Sequence, residues 1–233
     1  MNKIGVLGTW DGILLGHFVQ ALLDAGVGID CILLDSKPTS PRDFSIHEER
    51  TRGALPPISL HEFASAHIPC FPVEDHNGRV AVDIVCERGL DILVNGGTPR
   101  ILRTEMLTAP SLGVVNCHPG LLPSYRGASC VEWALFNGDP VGNSIHLMSA
   151  GIDEGKLLRT AAVPVPQNAS YTSIRIAVYR AGFRLMAEAC LSLQAGTVTE
   201  CSFVEQGAGH YFKPIDADSM KIVLARYPEA RPA

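Results

Sequence analysis

Asn116, His118 and Asp153 are the residues whose types and spacing could do chemistry together. Histidine gains or loses a proton near neutral pH at little cost. Asparagine offers an uncharged donor and acceptor. A carboxylate beside a histidine orients the ring and stabilises its charged form. Together the three could bind a developing oxyanion and manage a proton. Asn116 and His118 stand two apart at the end of the apolar run LGVVNC, so extended backbone sends both side chains to one side. Cys117 then faces away, which argues against it as a nucleophile. Spacing alone leaves an alternative open. A histidine at a strand end is often a hydrogen-bonded structural residue, and an aspartate in GIDEG is an ordinary turn residue.

The elements that must position these residues read as an alternation. KIGVLG is a buried strand, ILLGHFVQALLDAG has helical spacing and stops at Gly26, and IDCILLD is a second strand. Strand, helix and strand in such quick succession suggest a βαβ unit and a parallel sheet. The pattern resumes with the helix RVAVDIVCERG, the strand DILVNGG, the short helix ILRTEMLTA and the strand LGVVNC. Asn116 and His118 therefore fall at the carboxyl edge, where parallel sheets place their chemistry. A helix SCVEWALFNG, the strands NSIHLMSA and KLLRTAAVPV, and a long helix over 171–196 follow. Residues 36–58 read as a long loop with at most one helical turn, and SLHEFASAH as a helix. The fold expected is α/β: a mostly parallel sheet flanked by helices, with a short C-terminal β-hairpin. The division expected is a domain over 1–196, then a hairpin and tail over 197–233.

Composition bounds the function. The chain has 233 residues, 46% of them hydrophobic, which allows a sizeable core. A net charge of −5 argues against a protein built to hold a nucleic-acid backbone, although a few local arginines could hold a small anion. The start carries no signal peptide and no window reaches the length of a membrane span, so the expectation is a cytoplasmic protein with no membrane partner. The seven cysteines form no CxxC pair, which disfavours a disulfide scaffold or a zinc site. His146 reads as a satisfied core or interface histidine, and no metal is expected.

The run NCHPGLLPSYRG, then WALFNGD, then SIHLMSAGIDEGKLL, resembles the signature of the folate-dependent formyltransferases. The shared pattern is an N-x-H strand end, an H-P-x-L-L-P loop and a D-x-G turn. Here these are Asn116, His118, Pro119, Leu121, Leu122, Pro123, Asp153 and Gly155. The likeness is tight from about Asp91 to Leu158 and loose before that. It implies a Rossmann-like formyltransferase fold and 10-formyltetrahydrofolate as co-substrate. It implies that Asn116 and His118 stabilise the oxyanion while Asp153 holds His118 protonated and assists proton transfer. It implies that Arg100, Ile101 and Leu102 meet the pterin, with the turn Ala150, Gly151 and Ile152 walling the other side. Pro119 and Pro123 would stiffen the loop behind His118, and Gly120 and Gly127 would permit close backbone approach.

The acceptor is a small-molecule amine by this reading, with a nucleotide-linked amino sugar first. Gly120 and the Y-R-G of Tyr125 and Arg126 resemble the sugar-modifying branch of the family. The first turn, GTWDG, lacks the G-x-G-S-N of ribonucleotide-specific members, and only 19 residues follow Pro214, fewer than the second domain of the methionyl-tRNA enzymes. Thr9, Trp10, Asp11, Tyr125 and Arg126 are the acceptor-binding candidates. An amino-acid or hydroxylamine-type acceptor such as hydroxyornithine is an alternative, as is a noncatalytic folate- or nucleotide-binding module. A nicotinamide oxidoreductase would need G-x-G-x-x-G in the first turn, which GTWDGILLG does not supply. The late hairpin could also pair across a two-fold axis to give a homodimer.

Overall fold

Short runs of Ile, Val and Leu, buried on both faces, become the central strands of one sheet in the computed structural model, which describes residues 1–229. In chain order the elements are β1 (Ile4–Thr9), α1 (Leu15–Asp24), β2 (Cys31–Asp35) and α2 (Pro41–Thr51). A 3₁₀ helix (Leu60–Ala66) leads to β3 (Cys70–Val73), α3 (Arg79–Arg88), β4 (Ile92–Asn95), α4 (Thr104–Thr108) and β5 (Gly113–His118). Then come β6 (Arg126–Gly127), α5 (Cys130–Asn137), β7 (Gly142–Leu147), β8 (Leu157–Ala162), α6 (Tyr171–Gln194), β9 (Tyr211–Phe212) and α7 (Ala217–Arg226).

The seven-stranded sheet has the order β3-β2-β1-β4-β5-β7-β8. All pairings from β3 to β5 are parallel, and β7 and β8 add antiparallel strands. The α/β architecture with helices on both faces is therefore the one expected. Leu15, Phe18, Val19 and Leu22 of α1 pack with Phe183, Met186 and Leu193 of α6 on one face. Ala81 and Val85 of α3 and Met106 of α4 cover the other.

Two expectations are corrected, and one strand has no counterpart in the sequence reading. Residues 36–58 hold an 11-residue helix, α2, rather than a loop. The Ser40 side chain accepts the Asp43 N–H, and Pro41 occupies the first turn. Only His47 and Thr51 of that helix are buried, so it has little apolar periodicity to read. The strand β3 was not anticipated at all; its Pro72 interrupts the pattern, which an edge strand tolerates. Among the described residues the C-terminal hairpin is absent. Val204 instead bridges Leu157, and β9 pairs in parallel with β6. Gly209 passes so close to Pro123 that a Cβ there would lie 2.1 Å from the Pro123 carbonyl oxygen. That glycine serves a close approach between segments rather than a hairpin turn.

Candidate active site

Strand β5 delivers Asn116 and His118 to the carboxyl edge of the sheet, and its neighbours decide what they meet. Cys117 turns the other way and its Sγ lies 3.4 Å from the Gly182 carbonyl oxygen of α6. Burial pushes its thiol up to about 12, so no thiolate forms there at neutral pH. The turn after β7 brings Asp153 back over β5. Asp153 Oδ2 lies 3.3 Å from His118 Nδ1 and accepts the Gly127 N–H at 2.9 Å. Asp153 adopts a left-handed backbone, φ 56°.

His118 is buried, and its Nε2 donates to the Tyr125 carbonyl oxygen at 2.8 Å. Both ring nitrogens thus face oxygens. Burial lowers the imidazole pKa, and this outweighs the opposing pull of Asp153 and the Tyr125 carbonyl. Asp153 and the Tyr125 carbonyl both favour the charged ring, and burial opposes it. Burial pushes Asp153 up, but hydrogen bonding to His146, the charge of His118 and the Gly127 N–H together hold it below its ordinary value.

His146 belongs to the site. It pairs opposite Asn116 across β5 and β7, with Nε2 3.2 Å from Asn116 Nδ2 and 3.5 Å from Asp153 Oδ1. Its expected role as a satisfied core residue understated this. The signal lay in the strand register, which the sequence alone does not reveal. Gln206 was also missed. Its Nε2 donates to the carbonyls of Asp153 and Gly155, and its Oε1 accepts from Arg126.

A cavity of about 260 Å³ opens onto these groups. Asn116, His146 and Asp153 form its base. Arg100, Ile101 and Leu102 wall one side, and Ala150, Gly151 and Ile152 the other, so the expected cofactor residues converge. Ile101 is 82% and Ile152 54% exposed, leaving two apolar side chains at the rim. Among the described residues, neither the N–H nor the C=O of the buried Leu102 has a hydrogen-bond partner. The Arg100 guanidinium is occupied by Asp35 at 2.6 Å and Asp75 at 3.1 Å, so it anchors the loop.

A second cavity of about 560 Å³ lies beyond Pro119 and Gly127, between α2, the start of α5 and α6. Arg42, Asp43, Arg50, Glu132 and Arg175 supply its charges. Burial opposes ionisation of Glu132, but Arg175, Arg50 and Tyr171 pull its pKa down to about 2.

The five expected acceptor residues do not line this cavity. Thr9 is buried with Oγ1 3.2 Å from Thr39 Oγ1, and the Asp11 carboxylate accepts the Thr39 N–H. Both tie down the segment before α2. Trp10 lines a separate small cavity with Leu60 and Phe63 of the 3₁₀ helix. The buried Tyr125 ring stacks on Phe212 at 4.9 Å and its hydroxyl donates to Asp139. Arg126 braces Gln206 and the Gly207 carbonyl. Sequence position near the site did not distinguish such braces from lining residues.

Among the described residues no cluster of three or more His, Cys, Asp or Glu could hold a metal, and no helix is long and apolar enough to cross a membrane.

Residues 3–190 match the model of a family described as formyl transferase. A methionyl-tRNA formyltransferase of Phenylobacterium zucineum is 31% identical over 229 residues, covering 96% of this chain and 70% of its own. The chain spans 54% and 45% of the methionyl-tRNA formyltransferases of Pelobacter propionicus and Trichodesmium erythraeum. Among solved structures, a phosphoribosylglycinamide formyltransferase of Streptococcus pneumoniae aligns with TM-score 0.63 at 20% identity, covering 83% of this chain and 99% of that one. A 4-N formyltransferase of Francisella tularensis aligns with TM-score 0.64 at 17% identity over 99% and 90% of the two chains. A formyltransferase of Anoxybacillus kamchatkensis, solved with a UDP-linked formamido sugar and tetrahydrofolate, aligns with TM-score 0.57 at 15% identity over 96% and 91%.

Proposed function

The chain belongs to the formyl transferase family, and from that premise we propose that it moves the formyl group of 10-formyltetrahydrofolate to the primary amine of a nucleotide-linked amino sugar. The observation that carries this reading is that Asp153, which lines one cavity together with Asn116, meets the buried His118 behind it. The cavity suits a pterin: its base is polar, its rim is apolar, and Leu102 offers one unpaired donor and one unpaired acceptor to a ring edge that carries both.

In this reading Asn116 gives an N–H to the formyl oxygen as negative charge develops there. Burial lowers the His118 pKa, and the ring gains proton affinity as that charge forms beside it. Such an interaction strengthens in the transition state, which is where it accelerates reaction. The attacking amine gives up a proton to the His118–Asp153 pair, and the pair returns one to the folate nitrogen as the carbon–nitrogen bond breaks. The Gly127 amide holds the Asp153 carboxylate in place throughout.

The cavity beyond Gly127 is the place for the acceptor. Its volume suits a small molecule, and three arginines against two carboxylates in the lining suit an anionic one. The net charge of −5 also favours a small acceptor over tRNA. The 31% identity with a methionyl-tRNA formyltransferase favours a second reading, a charged tRNA. One experiment separates them. The protein and 10-formyltetrahydrofolate are offered nucleotide-linked 4-amino sugars, glycinamide ribonucleotide, hydroxyornithine and methionyl-tRNA. Mass gain of one formyl group on the amino sugar alone is the expected result. Modification of tRNA alone selects the second reading, and no modified amine despite folate binding overturns both.

A further inference from the structure

We propose that Asn95 is a positioning residue: it fixes which end of the Asn116 amide faces the reacting carbonyl, and ties that orientation to the loop walling the folate cavity. The inference rests on the formyl-transfer reading above and deepens it.

The two ends of an asparagine amide look alike in shape, so their assignment must come from partners whose roles are fixed. Backbone N–H groups supply them here. Asn95 stands at the end of β4, one residue past the Val94–Val115 pairing that sets β4 beside β5. Its side-chain oxygen lies 3.1 Å from the Gly97 nitrogen and 2.9 Å from the Thr98 nitrogen. Those nitrogens can only donate, so that end of Asn95 must be Oδ1. Its Nδ2 therefore faces Asn116 and donates to Asn116 Oδ1 at 3.0 Å.

The consequence passes to Asn116. With Oδ1 held by Asn95, Nδ2 is the end that turns toward His146 and the cavity. His146 Nδ1 lies 2.8 Å from the Leu147 carbonyl oxygen, and its Nε2 sits between Asn116 Nδ2 at 3.2 Å and Asp153 Oδ1 at 3.5 Å. The His146 contact is the one the Asn116 Nδ2 group makes among the described residues, so at least one of its two N–H bonds remains for an oxyanion. A flipped Asn116 would set donor against donor at Asn95 and present oxygen to developing negative charge.

The same Asn95 oxygen holds the start of the cofactor loop. Thr98 Oγ1 lies 2.7 Å from His76 Nδ1, and Arg100 is clamped by Asp35. One side chain thus links the oxyanion donor to the wall that would meet the pterin.

The test uses the whole chain labelled with ¹⁵N-asparagine and the stable donor analogue 10-formyl-5,8-dideazafolate. The Asn116 side-chain amide is identified by its loss in Asn116→Asp. Wild-type protein should bind the analogue and shift that resonance. Asn95→Asp keeps an acceptor for Gly97 and Thr98 but presents a second oxygen to Asn116, drawing the amide N–H groups away from the cavity. Its Kd for the analogue should stay within about twofold of wild type while the Asn116 response is lost; with an acceptor, kcat should fall by about 10², the scale of losing one oxyanion donor. Asn95→Ala removes both contacts and should lose the response and also raise Kd; it serves if Asn95→Asp does not fold. An Asn116 response in both variants equal to wild type overturns this inference alone. A wild-type protein that does not bind the analogue overturns the folate reading and this inference with it.

Discussion

The Gly127 amide donates to Asp153 at 2.9 Å, so a backbone group aims the acid of the site. Gly127 has φ +92°, and a Cβ there would lie 2.4 Å from the Phe212 carbonyl oxygen. Gly127→Ala should therefore push β6 away from β9 and release Asp153. Turnover should fall at least about tenfold, with a stability loss on the order of 1–3 kcal/mol. Steady-state kinetics and thermal melting check both.

Cys117 sits between two site residues yet points into the core, with its thiol pushed up to about 12. Cys117→Ala should keep most of the turnover, and thiol reagents should leave Cys117 unmodified in the native protein while reaching the exposed Cys70, Cys86 and Cys201. Mass spectrometry of partially alkylated protein reads the difference.

The pH profile follows from the burial of His118. A ring that must accept a proton works when neutral, and burial lowers its pKa from the ordinary 6.5. Turnover should rise with pH through a value below that and level off by about pH 7. A rate that fell between pH 5 and 7 would mean that the charged ring is the working form.

Glu132 makes a stability prediction with a definite sign. Its pKa is about 2 folded against 4.5 unperturbed. Above the unperturbed value both states are ionised and the full stabilisation is present. As pH falls below it, the unfolded chain takes up the proton first, so stability declines progressively toward the folded value. The urea midpoint of wild type should drop across this window more steeply than that of Glu132→Gln. Glu132→Ala leaves the buried Arg175 without its counter-charge and should cost about 3–5 kcal/mol.

What was legible in the sequence was whatever a short window carries. The strands around Val6, Leu33, Val94 and Val115 announced themselves because buried parallel strands are continuous apolar runs. The shared side of Asn116 and His118 followed from the two-residue period of a strand. What stayed hidden depends on distant partners. His146 acquires meaning only through its register opposite Asn116, Asn95 only through the backbone amides of its own turn, and Gln206 only because the segment before β9 folds back over the Asp153 turn. The helix α2 escaped notice because it is held by a cap and two buried polar residues rather than by an apolar stripe.

The central claim is that the His118–Asp153 pair drives formyl transfer. The direct measurement is single-turnover loss of the formyl group from bound 10-formyltetrahydrofolate to the acceptor found by mass gain, in wild type, His118→Ala and Asp153→Asn, with circular dichroism confirming each fold. The account predicts folded variants that bind the folate and transfer at least about 10²-fold more slowly. A folded Asp153→Asn that transfers at the wild-type rate would contradict it.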